Sequence, residues 1–160
     1  MKQFFVLTLI ATLLSSPALA QQLTFGGVEQ DPDAPIEVVS EQLNVNQTDG
    51  SAVFTGDVVV VQGLLQLSAQ RVEVYYTEGG GEVETMIATV DVVLINGTEA
   101  AEAERADYAV KDGVVVMTGN VLVTQGPSAV AGDRMTVQID TGKAKIEGRV
   151  RTLLKNAPTE

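Results

Sequence analysis

Residues 41–76 can be laid on residues 104–139 without a gap, at an offset of 63. The first stretch reads EQLNVNQTDGSAVFTGDVVVVQGLLQLSAQRVEVYY and the second ERADYAVKDGVVVMTGNVLVTQGPSAVAGDRMTVQI. Asp49-Gly50 falls on Asp112-Gly113, Thr55-Gly56 on Thr118-Gly119, Gln62-Gly63 on Gln125-Gly126, and Arg71 on Arg134. A unit repeated in this way buries its apolar face only against its neighbours, so the chain is constrained to a stacked architecture.

A finer repeat lies inside the large one. Gly56, Val90, Gly119 and Gly148 each follow a short apolar run and precede another, at spacings of 34, 29 and 29. Glycine inside a β pattern marks a bulge or a sharp bend. Each copy therefore reads as strand, bend, strand, and Val90 in place of glycine predicts a shallower bend in the second copy.

Alternation assigns the faces. Ala52, Phe54, Val58 and Val60 point one way, as do Met86, Ala88, Val92 and Leu94, then Val115, Met117, Val121 and Val123, then Ala144, Ile146 and Val150. Leu65, Leu67, Ala69, Val72, Val74 and Tyr76 extend this inner set, with Leu43, Val45, Tyr108, Val110, Val130, Met135, Val137 and Ile139. The expected fold is all-β: a β-roll or jellyroll of bent antiparallel strands stacked in repeats, with an aliphatic interior. The stretch Glu99–Glu104 (EAAEAE) favours helix by composition, but it reads here as a loop feeding a strand.

The N-terminus has the form of a secretory signal: Lys2, an apolar run from Phe4 to Leu14, and Ala18-Leu19-Ala20 ahead of a cut before Gln21. Residues 1–20 are read as signal peptide, 21–35 as an irregular leader, 36–154 as one β domain and 155–160 as a short tail. The net charge of −11 becomes −12 once Lys2 is removed, which disfavours nucleic acid and anionic membrane surfaces as partners. Residues 21–50 carry Glu29, Asp31, Asp33, Glu37, Glu41 and Asp49 with no Lys or Arg, whereas residues 141–160 carry Lys143, Lys145, Arg149, Arg151 and Lys155 against Glu147 and Glu160. One end of the domain is acidic and the other basic.

Neither histidine nor cysteine is present. Ser-His-Asp and Cys-His catalysis and the common zinc sites are thereby excluded, and no catalytic residue, metal ligand or cofactor is expected. Asp140-Thr141-Gly142 matches the aspartic-protease tripeptide, but such an enzyme needs two carboxylates sharing a proton. Asp and Gly between two strand patterns read as a turn. Gly79-Gly80-Gly81 reads as a hairpin loop, and Arg71 and Arg134 read as strand-edge ion-pair partners rather than anion ligands.

Several motifs occur in order along the chain: P-I-x-V (Pro35–Val38), F-T-G-D-V-V-V-x-Q-G (Phe54–Gly63), L-x-L-S-A-x-x-V-x-V (Leu65–Val74), V-M-T-G-N-V-L-V-x-Q (Val116–Gln125) and G-D-R-M-T-V (Gly132–Val137). Over residues 34–154 the chain resembles the LptA/OstA-like periplasmic lipopolysaccharide-transport proteins. The resemblance implies a β-jellyroll with an open hydrophobic groove that shields lipid A acyl chains in the periplasm. It implies head-to-tail self-association, and joining to an LptC-like inner-membrane protein and an LptD-like outer-membrane protein. By match, the lipid-binding positions are Ile36, Val38, Phe54, Val58, Val60, Leu94, Tyr108, Val110 and Met117. The competing reading is a non-catalytic scaffold whose core is filled and which polymerises through its edge strands.

Overall fold

The computed structural model describes residues 23–26 and 34–155. The expected signal peptide, part of the leader and residues 156–160 lie outside the described residues. The strands are β1 (Leu23–Thr24), β2 (Ile36–Val39), β3 (Gln42–Asn46), β4 (Ser51–Gln62), β5 (Leu65–Tyr76), β6 (Val83–Asn96), β7 (Glu99–Ala109), β8 (Val114–Gln125), β9 (Ser128–Gln138), β10 (Lys143–Glu147) and β11 (Arg151–Leu153). They form one antiparallel sheet in the order β1-β10-β9-β8-β7-β6-β5-β4-β2, with β3 also on β4 and β11 also on β9. The sheet is open: it does not close into a barrel. The 63-residue repeat is a step of two hairpins, carrying β4 and β5 onto β8 and β9.

Every second long strand carries a bulge. On β4 the pairing with β5 skips from Thr55 to Val58; on β6 it skips from Thr89 to Val92, and on β8 from Thr118 to Val121. Two residues on β4, β6 and β8 thus oppose one residue on β5, β7 and β9, which bends the strand. Both bulge residues are left-handed: Gly56 with Asp57, Val90 with Asp91, Gly119 with Asn120, and again Gly148 with Arg149 between β10 and β11. A side chain at Gly56 would collide with Glu41, at Gly119 with Glu104 and at Gly148 with Asp133. Val90 corrects the expectation of a shallower bend. Its φ of 67° matches the glycines, and the register shift beside it is the same.

The line of bulges divides the sheet into two arms. One holds β3, residues 51–55, 71–75, 85–89, 105–109, 114–118 and 134–138, and β10; the other holds β2, residues 58–62, 65–69, 92–96, 99–103, 121–125 and 128–132, and β11. The arms fold onto each other, and their inner side chains merge into a single buried cluster that includes Val58, Val72, Leu94, Met117, Met135 and Val137. The alternation read from sequence holds for nearly all of it. The exceptions are Leu43, Val45 and Val150 at the two edges, which are 51%, 64% and 49% exposed, and Tyr76 at the end of β5, which is 37% exposed; Val150 belongs to no strand.

Residues 99–104 are not a loop. Glu99–Ala109 is continuous strand, paired with β6 on one side and β8 on the other. Its inner side chains Ala101 and Ala106 are fully buried. Helix-favouring residues are overridden because the strands on both sides offer ladder partners that only a strand can complete.

Candidate functional site

The candidate site is the apolar face enclosed between the arms, together with the places where it reaches solvent. Ile36 and Val38 on β2 stand opposite Gln62 and Val60, and Phe54 on β4 stands between Leu43 and Val72. All three are half-buried against the core. Next inward are Val58 and Val60, then Leu94, Tyr108 and Met117, all buried. Val110, just past β7, is half-buried and donates its N–H to the Glu84 carbonyl at 3.0 Å. The nine positions therefore form a graded path rather than one patch, from the β2/β3 edge into the closed middle of the roll.

Alternation assigns Leu43 and Val45 inward, and neither is among the nine expected lipid-binding positions. Their partners Phe54 and Ala52 face the core, yet both remain largely exposed because β3 is an edge strand. They continue the inner face out into solvent. An exposed apolar strip continuous with a core differs from scattered surface hydrophobics, which are ordinary.

Where the free ends of the arms meet, opposite the bulges, a polar seam runs along the roll. The Tyr108 hydroxyl donates to Gln62 Oε1 at 2.8 Å, and Gln62 Nε2 donates to the Ala34 carbonyl at 3.3 Å. Burial pushes the Tyr108 hydroxyl pKa up. Further along, Asn96 Nδ2 donates to the Phe25 carbonyl at 3.5 Å, and Glu99 accepts from the Gly26 N–H and from Gln125 Nε2. Gln62, Asn96 and Glu99 are buried polar residues. The sequence carries a signal for this seam: an amide side chain precedes a turn glycine at Gln62-Gly63, Asn96-Gly97 and Gln125-Gly126. Phe25 had no such signal. It lies in the stretch read as an irregular leader, yet it is fully buried, and the neighbouring Leu23–Thr24 pairs with β10.

The outer face carries the ionic groups. Arg71 pairs with Glu73 at 2.9 Å, and Arg105 with Asp107 at 2.6 Å. The Tyr75 hydroxyl donates to Glu73 at 2.8 Å, and with Arg71 it holds that carboxyl below its ordinary pKa. Arg134 stands opposite Glu147, whose ion pair runs to Lys145 at 2.7 Å. Asp140-Thr141-Gly142 is the turn between β9 and β10. Among the described residues no group of three or more His, Cys, Asp or Glu is placed to hold a metal ion.

A bent open roll, lined with aliphatic side chains and ending among the described residues in edge strands, defines a non-barrel β-jellyroll. Residues 37–143 match the family described as LptA/(LptD N-terminal domain) LPS transport proteins, and the chain belongs to that family. It is 33% identical over 157 residues to an uncharacterized protein of Rhizobium meliloti, covering 90% of this chain and 84% of that one. It is 30% identical over 139 residues to the lipopolysaccharide export system protein LptA of Escherichia coli K12, covering 82% of this chain and 74% of that one. The fold matches the crystal structure of LptH, the LptA homologue of Pseudomonas aeruginosa, with a TM-score of 0.71 at 18% identity, over 79% of this chain and 99% of that one.

Proposed function

We propose that this protein is a periplasmic lipopolysaccharide-transport protein that shields lipid A acyl chains on the inner face of its roll. The observation that carries this reading is the apolar path from exposed Leu43 and Val45, through half-buried Phe54, to buried Val58, Val60 and Met117. Each acyl methylene moved from water onto such a face gains about 0.8 kcal/mol, so part of one chain is enough for useful affinity. The work of moving lipid in one direction comes from elsewhere, and this chain supplies shelter rather than chemistry. The relatives in the LptA and LptD families support export to the periplasm and contact with an LptD-like outer-membrane protein.

Assembly follows from the two edges. The β2/β3 edge carries Glu37 and Glu41, and the β10/β11 edge carries Lys143, Lys145, Arg149 and Arg151. Strand addition between unlike ends is electrostatically favoured and addition between like ends opposed. Repeated, it gives head-to-tail stacks that join LptC-like and LptD-like jellyrolls at either end and make the inner faces continuous.

The competing reading, a scaffold with a permanently filled core, draws on the closed middle, where Val58, Leu94 and Met117 have no exposure. A photoreactive residue at Phe54, compared with one at outward Asp57, separates the two readings in cells. The transport reading expects a lipopolysaccharide adduct at Phe54 and none at Asp57. A folded, exported protein without an adduct at Phe54 rejects it in favour of the scaffold.

A further inference from the structure

Leu23–Gly26 lies at the far end of the molecule from Ile36. Leu23 and Thr24 pair with Ala144 and Lys143 on the outer edge of β10. The Phe25 N–H donates to the Gly142 carbonyl at 2.6 Å, which ties the segment to the first arm. The Phe25 carbonyl accepts from Asn96 and the Gly26 N–H donates to Glu99, which ties it to the second. Between these ties the Phe25 ring is buried in the core shared by both arms, with no exposed surface. The fit is close on both sides. A Cβ at Gly142 would lie 2.7 Å from the Gly26 carbonyl oxygen and 3.1 Å from that of Phe25, and a Cβ at Gly26 would collide with Asn96.

We propose that Leu23–Gly26 is an autoinhibitory strap. Phe25 fills the outlet of the apolar path at the β10 end, where an acyl chain would leave, and β1 covers the start of the edge to which the next jellyroll would add. This rests on the transport reading above. Three features favour an exchangeable strap over a fixed part of the core. Among the described residues the strand has two residues. Its buried side chain Phe25 is a large apolar group, of the chemical class of the cargo. Finally, a cut before Gln21 would leave two residues ahead of Leu23, so the segment would be a free end that can leave without unthreading. Displacement by an acyl chain exchanges one apolar group for another in the same socket, so opening costs little when cargo is present and the outlet stays shut when it is absent.

The test uses Thr24→Cys with Lys143→Cys, which are opposite one another in the ladder, in a chain with no other cysteine. Cross-strand partners of this kind lie within about 4.5–5.5 Å at Cβ, near the span of a disulfide. Purified lipopolysaccharide is offered to the oxidised protein, the same protein after reduction, the unmodified chain, and Phe25→Ala. The strap predicts disulfide formation, uptake by the oxidised form at least about tenfold slower than by the reduced form, and faster uptake than the unmodified chain by Phe25→Ala. Equal uptake by oxidised and reduced forms overturns the strap and leaves the transport reading standing. Failure of the disulfide to form places Thr24 away from Lys143 and also overturns the strap alone. No uptake by any folded form, the unmodified chain included, removes the transport reading and the strap with it.

Discussion

Val90 occupies a backbone conformation that β-branched residues rarely adopt, because its Cβ crowds the following carbonyl. The bend is held by the bulges of the strands around it, which force the same φ that glycine supplies at positions 56 and 119. Val90 is 56% exposed, so its side chain contributes little packing in return. Val90→Gly is expected to stabilise the protein by about 1 kcal/mol, read as a higher thermal or denaturant midpoint. Asp133 presents a different case. The hydrogen bonds from Arg149, at 2.7 and 3.2 Å, hold its carboxyl below the ordinary value of 3.8. A lowered folded-state pKa stabilises the fold above the unfolded value and is lost as pH falls through the lowered one. Carboxyl NMR is expected to show Asp133 titrating late on acidification, and to return it toward 3.8 in Arg149→Ala. Tyr108 has the opposite sign. Its raised pKa means that its contribution is complete below the ordinary tyrosine value and is lost as pH rises through the folded one. Tyr108→Phe removes one bond across the seam and is expected to cost about 1 kcal/mol, and to flatten the alkaline limb of the stability profile.

At the scale of elements the two edges matter most. β3 is exposed at every position, β11 likewise, and each leaves one side of its backbone without a strand among the described residues. Substitutions there touch no core. Val45→Asp and Arg151→Glu are each expected to change folding stability by less than about 0.5 kcal/mol while weakening head-to-tail association. Analytical ultracentrifugation against concentration reads the effect. Association that survives both changes rejects the edges as the joining surfaces. The elements themselves were largely legible. Period-two alternation placed β4, β5, β6, β8 and β9 and their inner faces, because each has one face on the core and one toward solvent, which imposes alternation directly. β7 was not legible. Its Ala and Glu residues have no β preference of their own, and it is a strand because β6 and β8 stand on either side of it.

At the scale of the whole molecule one core serves both arms. Met117 on the first arm is fully buried in the same cluster as Leu94 on the second. Met117→Ala is expected to cost roughly 2–5 kcal/mol and to lower the unfolding midpoint of both arms together, as one cooperative transition by circular dichroism. Two separate transitions would mean that the arms are independent. The arms can part only along the polar seam, where Tyr108–Gln62 and the Phe25 segment bridge them, and not along the bulges, where the backbone is continuous. Of the nine positions expected to bind lipid, the sequence identified which faced inward but not which were closed. Ile36, Val38 and Phe54 lie at an edge and stay partly open, whereas Val58, Leu94 and Met117 carry the same aliphatic chemistry in the middle and are sealed.

The division between the two sources of information follows the range of the forces involved. Strand, bend and inner face are set within a few residues by pleat geometry and by where glycine recurs, so the sequence alone determined the all-β class, the repeat, the bends and the apolar lining. The burial of Phe25 depends on residues 71 to 117 positions away, at Asn96, Glu99 and Gly142. The strain at Val90 depends on the bulges imposed across neighbouring strands, and the strand at Glu99–Ala109 on its two partners. No local pattern carries those contacts, because they exist only once the sheet has folded onto itself. Which parts of the apolar face meet solvent, and which chain segment closes its end, was therefore decided by the tertiary structure.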